Sequence, residues 1–203
     1  MTESLGAGGP RIMLLWVISI VAAAVAIYAI IIFNSLVRTR QMANEAWSGI
    51  DVQLKRRSDL VPNLVDAVKG YAGHERSVLE EVTKLRGAAR ALPDNDVASR
   101  AQAETALSLA LSKLVALAEN YPDLKASQNF LELQQQLSQL ETELQMARRY
   151  YNGTVRNQNV LVQSFPSNVI ASLFGFSQRQ YFEVSNDAER ATPTVNLQPP
   201  PAR

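Results

Sequence analysis

The chain has 203 residues with 20 basic and 19 acidic side chains. That length suits one domain plus an appendage, and the net charge of +1 gives no basic excess of the kind that gathers on nucleic acid. There is no cysteine and a single histidine, which excludes disulfides, thiolate zinc sites, cysteine nucleophiles and multi-histidine metal centres.

A short N-terminal tail, residues 1–11, leads into IMLLWVISIVAAAVAIYAIIIF, the 22 uncharged residues from Ile12 to Phe33. As a helix this segment would be about 33 Å long, enough to cross a hydrocarbon core of about 30 Å. Trp16 and Tyr28 lie near its ends, where amphipathic rings favour the headgroup region. Ala24-Val25-Ala26 offers a small-x-small cleavage site, but the apolar run continues past it and only Arg11 marks the leading flank. A retained transmembrane anchor is therefore expected. Arg38 and Arg40 on the trailing side favour a cytoplasmic body with the N-terminus outside, and a periplasmic body is the alternative.

The rest of the chain is rich in Ala, Leu, Gln, Glu and Arg and nearly free of strand-favouring runs, so the fold class is all-α. A first long helix is predicted from about Asn44 to Arg86. Its heptad positions are Trp47, Leu54, Val61, Val68, Glu75 and Val82, with Ile50, Arg57, Leu64, Tyr71, Val78 and Leu85. Arg57 and Glu75 are the charged interruptions. Pro62 removes the bond from its own position to the Ser58 carbonyl and predicts a bend. A turn is expected around Gly87 and Pro93, with Asp94, Asn95 and Asp96 as cap residues.

A second helix is predicted from Val97 to Glu119 on a stripe of Ala103, Leu107, Ala110, Leu114 and Leu117. A third covers Leu124 to Phe165, with Phe130, Leu133, Leu137, Leu140, Leu144, Ala147, Tyr151, Thr154, Gln158, Leu161 and Phe165 on its stripe. Asn152-Gly153 marks a weak point in it. Short turns fold the three long helices into an elongated antiparallel bundle, residues 34–184, completed by a short helix capped by Ser167 or Asn168 and ended by Gly175. Phe174, Phe176, Tyr181 and Phe182 either plug the bundle's end or present a patch to a partner or lipid surface. Residues 185–203 are too polar and proline-rich to pack and predict a disordered tail.

No catalytic constellation can be assembled. His74-Glu75 begins like a zinc-protease motif, but Val78 stands where its second histidine would have to be. Glu80-Glu81 and Glu141/Glu143 fit solvated helix faces rather than a catalytic carboxylate pair. No metal, cofactor or enzymatic activity is expected. An unpaired charge in a dry core is costly, so Arg57 and Glu75 are expected to have partners. Glu141 or Glu143 are the candidates for Arg57, and Arg148 and Arg149 for Glu75. Such a network either fixes helix register or lines a polar groove for a ligand or partner.

Three stretches, AWSGIDVQLKRRSDLVPNLVDAVKGYAGHE, YPDLKASQNFLELQQQLSQLETELQMARRYYN and NQNVLVQSFPSNVIASLFGF with YFEV after it, resemble the LemA family of bacterial membrane-anchored proteins. The resemblance implies one N-terminal span in the bacterial inner membrane, a helical bundle and no established reaction. It places Arg57, Pro62, Asn63, Glu75, Asn129, Arg149 and Asn152 in the family's motifs. Some relatives are associated with magnetosome membranes and others are encoded near membrane zinc metalloproteases. The function expected is a non-enzymatic scaffold or adaptor in envelope maintenance or membrane remodelling, working through self-association or a membrane-protein partner on the bilayer. The alternative is a stress- or ligand-sensing regulator of a membrane metalloprotease.

Overall fold

The computed structural model describes residues 9–72, 75–93 and 96–183, and every regular element among them is a helix. In chain order they are α1 (Gly9–Lys69), α2 (Arg76–Ala91), α3 (Val97–Ala118), α4 (Pro122–Lys125), α5 (Gln128–Gln163) and α6 (Ser167–Leu173). The proline-rich tail, His74, Asp94 and Asn95 lie outside the described residues.

The apolar N-terminal segment and the start of the body are one helix. From Ile12 to Ile31 its side chains are exposed almost throughout, and it is long and apolar enough to cross a membrane. Burial then begins abruptly at Ile32 and Leu36. α1 also continues through Pro62 to Lys69.

The single helix expected from Asn44 to Arg86 is in fact two. α1 stops at Lys69, where Gly70, Tyr71 and Ala72 turn back onto it. The Tyr71 and Ala72 N–H groups donate to the Val68 carbonyl at 3.0 and 2.8 Å, satisfying the helix end. Tyr71 is exposed, and Glu75 is the residue that precedes α2 rather than an interior core position. The third helix is likewise divided, since a single turn of α4 precedes α5. α5 runs unbroken through Asn152-Gly153, and Phe165, expected on its stripe, is exposed.

Two compact units divide the chain. Among the described residues, the first consists of 9–53 and 143–181, and the second of those between 54 and 142 together with 182–183. In the first, Ile32, Leu36, Ala171 and Phe176 form a small core flanked by Phe33, Leu161, Val162 and Ile170, and Trp47 packs on Tyr151 with ring centroids 5.4 Å apart. In the second, the end of α1, α2, α3, α4 and the start of α5 share one apolar core. Leu64, Val68, Val82, Leu107, Leu114 and Leu124 are fully buried there.

The ends of the helices show how the sequence sets them. Asp96 caps α3 by accepting the Ser99 N–H at 3.0 Å, and that bonding holds its carboxyl below the usual value. A depressed pKa stabilises above the unfolded value of about 3.9 and ceases to do so as pH falls through the folded one. Asp96→Ala should therefore speed amide exchange at Ser99 at neutral pH, and protonating Asp96 at low pH should lower the protection of that amide, relative to its intrinsic exchange rate, in the unaltered chain. At the other end, α6 is followed by Gly175 with φ of 70°, a conformation that glycine adopts without a Cβ penalty. This lets the Phe176 N–H reach the Ala171 carbonyl at 2.9 Å. Ser167 lies inside α6 rather than capping it, and its hydroxyl donates to the Ser164 carbonyl at 2.9 Å.

Candidate functional site

Among the described residues, Arg57 is the largest fully buried side chain. It projects from α1 and ties three helices of the second unit together. Nη1 donates to Ser108 Oγ at 2.6 Å and to Glu141 Oε1 at 2.7 Å, while Nη2 donates to the Glu104 carbonyl at 3.3 Å and bonds the Glu104 carboxylate. Glu104 and Ser108 are one turn apart on α3, so both face the same neighbour, and Glu141 comes from α5. Arginine suits this position because its planar fork presents several donors at once.

Desolvation by burial pushes the Arg57 pKa down. Attraction to Glu104 and Glu141, together with their hydrogen bonds, outweighs it, and the net shift is upward. Arg57 therefore stays charged throughout the physiological range. Glu104 is buried with it, whereas the Glu141 side chain keeps 35 % of its exposure. Two carboxylates, a hydroxyl and a carbonyl engage both terminal nitrogens of the guanidinium, while Nε is buried without a hydrogen-bond partner among the described residues.

Arg86 supplies a second polar bond in the same unit. Its Nε donates at 2.7 Å to the carbonyl of Ser58, the group that Pro62 cannot serve because it lacks an N–H. The proline's deficit on α1 is thus made good by a side chain from α2.

In the first unit, polar side chains of α5 bind the extended segment that follows α6. The Asn159 amide donates to the Arg179 carbonyl at 2.9 Å and accepts the Arg179 N–H at 2.8 Å. Gln158 reaches the Ser177 carbonyl at 3.4 Å, and the Tyr151 hydroxyl reaches that of Gln180 at 3.0 Å. Burial pushes the Tyr151 phenol up, against the opposing pull of Arg179. The Arg179 guanidinium in turn bonds Asn44 on α1. Asn159→Ala removes a two-way bond to the backbone and should cost about 1–3 kcal/mol, at about 0.5–1.5 kcal/mol per hydrogen bond. Urea unfolding measures that cost, and faster tryptic cleavage at Arg179 would report release of the segment.

The remaining residues singled out from the sequence belong to several elements. Glu75 is half-buried ahead of α2, in the second unit. Arg148 and Glu143 are half-buried and Arg149 is exposed, all on α5 in the first unit. Asn63 and Asn129 are exposed and Asn152 is half-buried. The four aromatics divide as well. Phe176 and Phe182 are buried, whereas Phe174 and Tyr181 are exposed. Glu104 and Ser108 were not found from the sequence, and the signal for Glu104 was its place between Ala101 and Leu107 on the buried face of α3.

Among the described residues, no three His, Cys, Asp or Glu side chains gather as a metal site. An open groove on α5 is lined by Leu131, Gln134, Gln135, Ser138, Gln139 and Thr142, and this lining offers the two hydroxyls no acid or base to activate them.

Comparison with known proteins finds one family and several relatives. A family model described as the LemA family matches residues 46–197. Protein LemA of Metamycoplasma hominis is 27% identical over 152 residues, covering 75% of this chain and 69% of its own length. Magnetosome protein MamQ 2 of Paramagnetospirillum magneticum is 24% identical over 194 residues, covering 83% and 71%. Magnetosome protein MamQ of Magnetospirillum gryphiswaldense is 23% identical over 189 residues, covering 80% and 70%. None of these names is that of an enzyme.

Proposed function

The chain belongs to the LemA family, and on that footing we propose that it is a non-enzymatic scaffold or adaptor of the bacterial cell membrane, holding a helical body beside the bilayer to assemble with copies of itself or with a membrane-protein partner. The observation that carries this reading is the continuity of α1. One helix runs from the exposed apolar segment at Ile12–Ile31 directly into buried positions at Leu36, Ala43, Ala46 and Ile50. A helix that is anchor and core at once transmits position and orientation, as a scaffold requires. Relatives named for the magnetosome support a role in shaping or maintaining a membrane. The arginines after the span support a cytoplasmic body.

Proximity labelling in living cells tests the proposal, with a labelling enzyme that needs cytoplasmic ATP fused after Arg203. The expected result is strong labelling of a small, reproducible set of membrane proteins, this chain among them or one partner dominant. A dominant membrane metalloprotease would favour the regulatory alternative. Labelling no different from that of an anchor-only fusion would contradict a scaffold. Absence of labelling by an intact fusion would place the body on the other side of the membrane.

A further inference from the structure

We propose that α6 and the residues flanking it form a second membrane contact, an interfacial foot that dips into the same bilayer that α1 crosses. The proposal rests on the membrane anchoring proposed above. Its first support is position. The apolar run of α1 ends at Phe33, and Asn34 is the first polar residue after it. α6 and its C-terminal flank pack at this boundary. Phe33 lies against Phe174 and Phe176 with ring centroids 4.8 and 5.9 Å apart, and Ala171 and Phe176 share a core with Ile32 and Leu36. At about 1.5 Å of rise per residue, these α1 positions lie within about 5 Å of the end of the apolar run. A residue packed against Phe33 is therefore held at the headgroup–acyl boundary whenever α1 spans the bilayer.

The second support is the face that α6 leaves uncovered. Phe165 is 84% exposed, Val169 56%, Leu173 74% and Phe174 55%. Val169 and Leu173 lie one turn apart on α6 and so project to one side, and Phe165 stands in the turn just ahead of the helix. Such a patch, beside a membrane span and left largely uncovered by the described residues, has the properties of a membrane-contact surface.

Charge supplies the third support. From Asn157 to Gln178 the sequence has no Asp, Glu, Lys or Arg, and the polar residues within it are Ser, Asn and Gln, which the interface tolerates. Basic groups begin on the body side of the boundary. Arg38 and Arg40 are exposed on α1, and the Arg40 guanidinium lies 5.6 Å from the centroid of the Phe176 ring, placed to meet lipid phosphates. Gly175 and the Asn159–Arg179 bonds then lead the chain away from α6.

The absence of cysteine allows a direct test on the full-length chain. Single variants Phe165→Cys and Leu173→Cys are spin-labelled in vesicles of phosphatidylethanolamine and phosphatidylglycerol, with Ile20→Cys and Gln135→Cys as lipid and water references. Collision with oxygen is compared with collision with a water-soluble nickel chelate. The expected result is that labels at 165 and 173 lose access to nickel and gain access to oxygen, as at 20 and opposite to 135. Nickel access at 165 and 173 while the label at 20 remains in lipid would overturn the foot and leave the anchor intact. Shielding from both reagents, with spin–spin broadening between chains, would show a second copy covering the patch and would also overturn it. Nickel access at 20 would overturn the anchoring and this proposal with it.

Discussion

Arg57→Leu is expected to destabilise the full-length chain by about 3–5 kcal/mol, measured by denaturant unfolding monitored by helical circular dichroism. Removing one partner of a buried ion pair leaves the other charge desolvated without compensation. The stranded charge here is Glu104, which is buried, and Ser108 loses its partner at the same time. Glu141 adds less because its half-exposed carboxylate can turn toward water. The upward shift of the Arg57 pKa fixes the pH dependence. A cation with a raised folded pKa contributes fully below its unfolded pKa and loses that contribution only as pH rises through the folded value. Both lie far into the alkaline range, so the difference between Arg57→Leu and the unaltered chain should not vary with Arg57 ionisation between about pH 6 and 9. Replacing Arg57, Glu104 and Glu141 together with apolar residues of similar volume should restore most of the loss, because no charge is then left unpaired.

Arg86→Met should cost about 1–3 kcal/mol, the penalty for leaving a buried carbonyl unsatisfied, with Met retaining most of the apolar stem. The loss depends on Pro62, which gives the prediction a strong internal control. Pro62→Ala restores the N–H that can bond the Ser58 carbonyl within α1. In the Pro62→Ala background, Arg86→Met should therefore cost much less, a coupling of at least about 0.5 kcal/mol in a double-mutant cycle. Equal costs in the two backgrounds would mean that the Arg86–Ser58 bond does not compensate for the proline.

Much of this arrangement was legible in the sequence, and the parts that were not share a physical cause. Periodicity located the helices because burial on one face of a helix follows a fixed repeat. That same regularity concealed the break after Lys69. Val78 and Val82 continue the heptad numerically across the turn at Gly70, although Gly70 directly after a basic last turn is itself a stop signal. Arg57 stood out as a charge on an apolar stripe, and Glu141 was among its candidate partners. Glu104 was passed over because a hydrophobic stripe drawn through Ala103 and Leu107 skips the residue between them. Only the rotation of α3 about its axis, set by tertiary packing, turns Glu104 rather than Ala103 fully inward. Gln158 was visible as a polar interruption, but its partner carbonyl at Ser177 is backbone, which no side-chain pattern records.

The central claim is that this chain works as a membrane-anchored assembly component. The most direct test is the mass of the full-length chain extracted from its native membrane in lipid nanodiscs without detergent. The predicted result is a discrete complex, either a small integral number of copies or the chain with one membrane protein in fixed ratio. Single copies alone, at native expression level and with the helical fold intact, would contradict it.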